Sequence, residues 1–403
     1  MTDSPALCSS ATPQAWGAVF AMSLAAFALV ASEFMPVSLL TPIATDLQVT
    51  EGQAGQGISV SGLFALLTSL MIASLAARVD RKRLLLALTL LMIVSGTVVA
   101  FAPNYLIFML GRALIGVAIG GFWSLSAATA MRLVSAERVP RALAIVNGGN
   151  ALATVIAAPL GSFLGALIGW RGAFFCIVPV AALAAFWLML SLPTIKTPRS
   201  TASSHALLLM KHAPVALGML AVSLLFMGQF MLFTYLRPFL ETVTKVGINT
   251  LSLMLLVLGV AGFVGTLVIE VFVKKGLYRT LMIIPLLMAV IAVALIAFGS
   301  STLATTLLLG IWGLIATAAP VGWWTWLART LPDDAEAGGG LMVAIIQLAI
   351  ALGATVGGLM FDLSGYRATF ELSAALLVVA AVLACLAGSA ASRARQLSSN
   401  TAR

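Results

Sequence analysis

Twelve apolar stretches follow one another along the chain, separated by short polar turns. They cover residues 16–40, 56–77, 84–102, 105–131, 140–166, 170–192, 214–237, 249–273, 280–300, 303–329, 339–363 and 369–388 of 403. A hydrocarbon core of roughly 30 Å takes about 20 residues of helix. Runs such as LLLALTLLMIVSGTVVAF (84–101) show no strand alternation, and lipid admits only helices or closed barrels. The pattern predicts an all-α membrane protein with twelve transmembrane helices. Composition agrees, since charged residues make up 9% of the chain and hydrophobic ones 61%, against about a quarter charged in soluble domains. The longest polar stretch is the central loop, residues 193–213. No segment is left for a soluble domain.

The net charge of +9 reads as topology. With the N-terminus inside, seventeen Lys and Arg fall in the inner loops and tail, including Arg78, Arg81, Lys82, Arg83, Lys274 and Lys275. Four fall on the opposite side: Arg171, Arg237, Lys245 and Arg367. This is the positive-inside bias; it places both termini in the cytoplasm and assigns the excess charge to anionic lipid, not to nucleic acid. MTDSPALCSSATPQAW lacks a basic n-region and a cleavage site, so the first span is expected to be retained. Cys8, Cys176 and Cys385 form neither a disulfide framework nor a metal spacing. His205 and His212 both lie in the central loop, so no span offers a His ligand, and no metal is expected.

The chain divides at the central loop into a bundle over 1–192 and another over 214–403, joined by 193–213. GWRGAF (169–174) opens the sixth span and GYRATF (365–370) the twelfth, 196 positions later. APLGSFLGALI (158–168) and ATVGGLMFDLS (354–364) also answer one another. Two six-helix repeats around a cavity suit alternating access.

Six plus six spans, a basic loop after span two, Arg112 in span four, a Pro/Gly segment in span five and GWR before span six resemble the major facilitator superfamily. The closer similarity is to its drug:proton antiporter branch. SEFMPVSLLTPIATDL (32–47), GRALIGVAIGGFWSLSAATAMRLV (111–134), AAPLGSFLGALIGWR (157–171), FTYLRP (233–238) and PVGWWTWLAR (320–329) resemble purine ribonucleoside exporters of that branch. The resemblance implies a monomeric, multi-pass carrier of the bacterial inner membrane, with membrane lipids around it and no cofactor beyond the coupling proton. It implies export of a small organic solute by alternating access, with purine ribonucleosides such as inosine and guanosine favoured. Sugar or multidrug efflux is the alternative within the superfamily. A non-transporting sensor on the same scaffold is the alternative from another class.

Glu33 lies within the first span, seven residues from its expected outer end, and Arg112 is the only basic residue well inside a span. Ionisable groups at such depth are functional candidates. Burial disfavours a carboxylate anion and a nearby cation favours it, so Glu33 is expected to carry the coupling proton and Arg112, which keeps its own, to bias it. Plain charge neutralisation, or satisfaction of backbone carbonyls by the Arg, competes with this reading.

AARVDRKRLLL (76–86) resembles the superfamily's gating motif, with Asp80 and Arg81 in place but Ala76 where the first motif glycine would be. The resemblance implies contact between Asp80 and the start of the eleventh span near Gly338–Gly340, a favourable charge–dipole arrangement. Gly116 and Gly120 in span four, and Pro159, Gly161 and Gly165 in span five, are expected to let helices approach closely or flex. Aromatic walls with a few polar groups suit a ligand bearing rings and hydroxyls. The candidates are Trp123, Ser124, Asn147, Asn150, Gln229, Phe233, Tyr235, Trp323, Thr325, Trp326 and Gln347. Glu270 and Lys274 read as a local i,i+4 pair, and Asp362 as an interfacial residue.

Other classes lack their chemistry. No G-x-x-x-x-G-K-[ST] loop exists for an ATP-driven pump. A membrane-embedded enzyme would need an intramembrane nucleophile and base, so no enzymatic activity is expected.

Overall fold

The computed structural model describes residues 15–76, 79–194, 206–331 and 335–401. These are helical, with no strand among them. The α-helices are α1 (Trp16–Leu47), α2 (Glu51–Ala76), α3 (Arg81–Ala100), α4 (Tyr105–Leu133), α5 (Val139–Phe175), α6 (Ile177–Ser191), α7 (Ala213–Thr234), α8 (Leu236–Thr242), α9 (Ile248–Lys275), α10 (Leu277–Phe298), α11 (Thr302–Ala316), α12 (Ala319–Thr330) and α13 (Ala335–Thr401).

Ten continuous stretches among the described residues are long and apolar enough to cross a membrane, where twelve were expected. The difference has a local cause. The expected fifth and sixth spans run together as Arg141–Ser191, and the eleventh and twelfth as Gly338–Arg393. Each merged stretch is interrupted at one glycine: Gly169 at φ 75°, ψ 163°, and Gly365 at φ 76°, ψ −175°. Only glycine adopts that conformation readily. The two residues stand 196 positions apart at the GWR and GYR strings, so the sequence echo is also a backbone echo.

Helix α1 shows how this chain uses proline. A proline has no N–H, so the carbonyl four residues earlier loses its helical partner, a serious cost where no water replaces it. Pro36 vacates the carbonyl of Ser32, and Pro42 that of Ser38. Arg112 from α4 donates from Nη1 to the Ser32 carbonyl at 2.8 Å. Arg237 from α8 donates from Nη1 to the Ser38 carbonyl. Arg237, expected in an outer loop, is instead buried; its Nε also holds Glu241 at 2.8 Å. Each proline gap in α1 is filled by an arginine from elsewhere in the fold.

Side chains bury themselves in two separate cores. One is built almost wholly from residues 18–192 and the other from residues 209–384. Small residues set the closest approaches. A Cβ at Gly116 would lie 2.2 Å from the Ser61 carbonyl, and one at Gly120 only 2.1 Å from that of Ala65, so α4 rests on the backbone of α2. Gly161 and Gly165 face Ser38, Met35 and Leu39, bringing α5 against α1. Pro159 lies between these contacts and Gly259, where a Cβ would sit 2.7 Å from the Val155 carbonyl that the proline vacates. At the α5–α6 junction, Trp170 donates to Asp46 at 3.1 Å, Arg171 pairs with Asp46, and Arg171 also donates to the Ala102 carbonyl at 2.7 Å. Lys274 and Glu270 form the expected i,i+4 pair at 2.5 Å, both exposed. Cys176 and Cys385 are free and exposed, while Cys8 and His205 lie outside the described residues.

Two outcomes follow from this packing. Gly120→Val should destabilise the detergent-solubilised protein by about 1–3 kcal/mol through overpacking, read as a lower unfolding temperature. Arg237→Leu leaves the Ser38 carbonyl orphaned, whereas Pro42→Ala supplies an N–H to it. The double mutant should therefore lose less than the sum of the single losses, with a coupling of about 1–2 kcal/mol; strict additivity would show that Arg237 does not serve that carbonyl.

Candidate functional site

Glu33 and Arg112 do come together, but not as an ion pair. Arg112, with no exposed surface, spends its guanidinium on four acceptors: the carbonyls of Gly57 (3.1 Å), Ser32 (2.8 Å) and Glu33 (3.2 Å), and the Ser61 hydroxyl (3.3 Å). It clamps the backbone of α1 beside the Pro36 gap. The ion pairs among the described residues are Arg171–Asp46, Arg237–Glu241 and Lys274–Glu270; Glu33 belongs to none of them. Its carboxyl is buried near the Arg112 charge and meets the side-chain amide of Gln347 from α13. Glu33 thus stands between a fixed cation in its own helix set and a neutral amide in the other. Because α1 runs on to Leu47, beyond the expected end at 40, Glu33 lies about 21 Å along the axis from the α1–α2 turn, deeper than the sequence suggested.

The next residue, Phe34, extends the same boundary. Its ring stacks on Phe230 at a centroid distance of 5.7 Å and meets Phe233 edge-on at 6.4 Å; Phe230 and Phe233 are 6.0 Å apart. Phe34 and Phe233 are only partly buried, so this trio presents ring surface. Gln229, just before Phe230, holds a buried side-chain oxygen with no hydrogen-bond partner. A buried acceptor left unmatched is costly and is a place where an N–H or O–H donor would bind.

From Gln347 toward the α1–α2 turn, α2 and α13 run antiparallel and close. A Cβ on Gly62 would meet the Gln347 carbonyl at 3.0 Å and the Ala351 side chain at 3.1 Å. Thr355 donates to the Gln56 side chain at 3.1 Å. Tyr235 donates to the Ala354 carbonyl at 2.8 Å, and its ring fills the space opposite Gly55. Asp362 accepts from Thr50 at 2.6 Å and from the Gly52 N–H at 3.0 Å. At this end the two helix sets are in direct contact.

Other sequence candidates fall elsewhere. Tyr235, Trp323 and Trp326 are fully buried and serve as packing in this conformation. Trp326 fills the space opposite Gly218, and the indole N–H groups of Trp323 and Trp326 lack partners. Trp123 is half-buried, edge-on to Phe122 at 5.8 Å, and Asn150 is half-buried. Ser124, Asn147 and Thr325 donate to carbonyls of their own helices, those of Gly120, Leu143 and Val321. The Asp80 carboxylate accepts from the Lys82 N–H at 2.8 Å as the N-cap of α3. Gly338, inside the first turns of α13 because that helix starts at Ala335, packs against Leu327 and Leu331. Arg81 is buried. Phe34, Phe230, Arg237 and Asp362 were not among the sequence candidates. Only Arg237 had a readable signal: two prolines in α1 demand donors, and FTYLRP carries one.

The comparisons bear on the family and the fold. A family model of the Major Facilitator Superfamily matches residues 22–354. The transcription regulatory protein OpdE of Pseudomonas aeruginosa is 61% identical over 92% of this chain and 93% of its own. The purine ribonucleoside efflux pump NepI of Escherichia coli is 40% identical over 91% and 93%. Among solved structures, a bacterial homologue of the human lysosomal transporter Spinster, inward-facing and unoccupied, has a TM-score of 0.77 at 16% identity, covering 94% of this chain and 98% of its own. A variant of the nucleoside transporter NupG has a TM-score of 0.75 at 14% identity, covering 92% and 98%. A helical chain that crosses the membrane repeatedly and matches this family over most of its length belongs to the major facilitator superfamily.

Proposed function

We propose that this protein is a proton-coupled secondary transporter of the bacterial inner membrane that exports purine ribonucleosides such as inosine and guanosine. The observation that carries the reading is Glu33: a buried carboxyl whose neighbours come from both helix sets, Arg112 on one side and Gln347 on the other. When the sets separate, the amide leaves and the cation stays. The balance between neutral and ionised carboxyl then changes with conformation, which is the requirement for coupling a proton to alternating access. Each merged stretch folds back at its glycine, giving twelve crossings in two six-helix bundles with both termini in the cytoplasm. The α1–α2 end then faces outward, and the structure corresponds to a state closed to the outside.

The substrate assignment follows from the chemistry at the boundary and from the likeness to NepI. Phe34, Phe230 and Phe233 offer ring surface for a purine, and the vacant Gln229 oxygen suits a base N–H or a ribose hydroxyl. Asn150 and Trp123 extend the wall. Tyr235, Trp323 and Trp326 shape it from behind. Asp80 and Arg81 are the candidate gate at the opposite end. The protein acts as a monomer without a cofactor.

The name of the OpdE relative favours a second reading, a membrane sensor that governs transcription without moving a substrate. Proteoliposomes separate the two: labelled inosine, guanosine, a sugar and a cationic drug are offered with the acidic face opposite the substrate. The carrier reading expects gradient-driven nucleoside flux, whereas a correctly inserted protein that moves none of the panel supports the sensor. Flux of a sugar alone would keep the carrier and replace the substrate.

Two variants test the roles. Glu33→Gln should lose gradient-driven flux while still inserting and binding substrate; full gradient-driven flux in that variant sinks the coupling role. Gln229→Leu should weaken nucleoside binding by roughly tenfold, the worth of about one hydrogen bond, without abolishing the response to the gradient. Unchanged affinity would remove Gln229 from the site.

A further inference from the structure

We propose that Asp362 is a releasable latch for the α1–α2 end of the carrier, an inference that rests on the reading of the protein as an alternating-access transporter. The carboxylate leaves α13 and lands on the first turn of α2 in the other helix set, with Oδ2 accepting from the Thr50 hydroxyl at 2.6 Å and Oδ1 from the Gly52 N–H at 3.0 Å. A helix N-terminus presents free N–H groups and partial positive charge, and an acid there is stabilising.

What makes this contact a latch is that α2 has its own cap. TEGQ (50–53) forms a reciprocal capping box: the Gln53 N–H donates to the Thr50 hydroxyl at 3.0 Å, and the Thr50 N–H donates to the Gln53 side chain at 3.1 Å. When Asp362 withdraws, those two bonds remain and α2 keeps its end. Only the cross-boundary bonds are lost, and the exposed carboxylate returns to water, so opening costs little. The backbone is shaped for the closed position. A Cβ on Gly52 would lie 2.2 Å from the Asp362 carboxylate and 2.6 Å from the Gly358 carbonyl, and Gly358 itself touches the Gly52 backbone at 3.0 Å. Two glycines facing each other let the acid reach its target.

The test is a distance measurement that does not depend on substrate. Nitroxide labels at Leu106 and Leu303, both exposed at this end in opposite helix sets, are followed in lipid nanodiscs after Cys8, Cys176 and Cys385 are changed to Ser. Asp362→Ala should raise the ratio of long to short distances roughly fivefold, the worth of about one capping interaction. Asp362→Asn, which keeps an oxygen for the Gly52 N–H but loses the charge, should give a smaller rise. A folded Asp362→Ala protein with the parent distribution overturns the latch. Should that variant fail to fold, Asp362→Asn decides in the same way: a folded Asn protein with the parent distribution overturns the latch. Longer distances without nucleoside flux leave the latch standing and remove the substrate reading; flux with unmoved distances does the reverse.

Discussion

The constraint on which this structure depends is that a backbone carbonyl inside a membrane needs a donor. Helix α1 breaks its own ladder twice, and each time an arginine from a distant helix supplies the missing hydrogen. Arg112 does so from α4 within the N-terminal set, and Arg237 from α8 across the boundary. A bond of this kind is charge-assisted and stronger than a neutral one. It also gives the Arg112 cation four acceptors without demanding a carboxylate, which answers why Glu33 can stand beside Arg112 without being locked to it.

That freedom organises the centre of the molecule. A Glu in a fixed ion pair would hold one protonation state through every conformation. Here the carboxyl faces an amide that belongs to the other helix set, so its environment is tied to how the sets meet. The neighbouring ring trio lies on the same boundary. The seam of α2 and α13 begins at Gln347, the residue whose amide lies near Glu33.

The seam itself is built from small residues and borrowed polar contacts. Gly52, Gly62 and Gly358 bring backbones within van der Waals reach and Gly55 makes room for the Tyr235 ring, while Thr50, Gln56, Thr355 and Asp362 supply side-chain bonds across it. Lipid offers little hydrophobic drive for one helix to prefer another. Close packing and a few polar bonds thus hold the two helix sets together along this seam.

Much of this was legible in the residue order. Hydropathy located the apolar stretches, which the described residues form into ten continuous helices long enough to cross a membrane, because burial in lipid demands a continuous apolar run. The GWR and GYR echo marked the two places where only glycine can turn the chain, and isolated charge singled out Glu33 and Arg112. Partners were not legible. A tryptophan reads the same whether it lines a cavity or fills a core, and only the fold shows that Trp323, Trp326 and Tyr235 are fully buried in this conformation. Arg237 looked like a loop cation because its acceptor stands 199 residues away, and Asp362 had a legible place but no legible partners because its donors stand over 300 residues away. Local order determines which segments enter the membrane, since that depends on each segment's own transfer from water. Which carbonyl an arginine serves, and which helix end an aspartate caps, depends on distances between segments, and only the folded arrangement sets those.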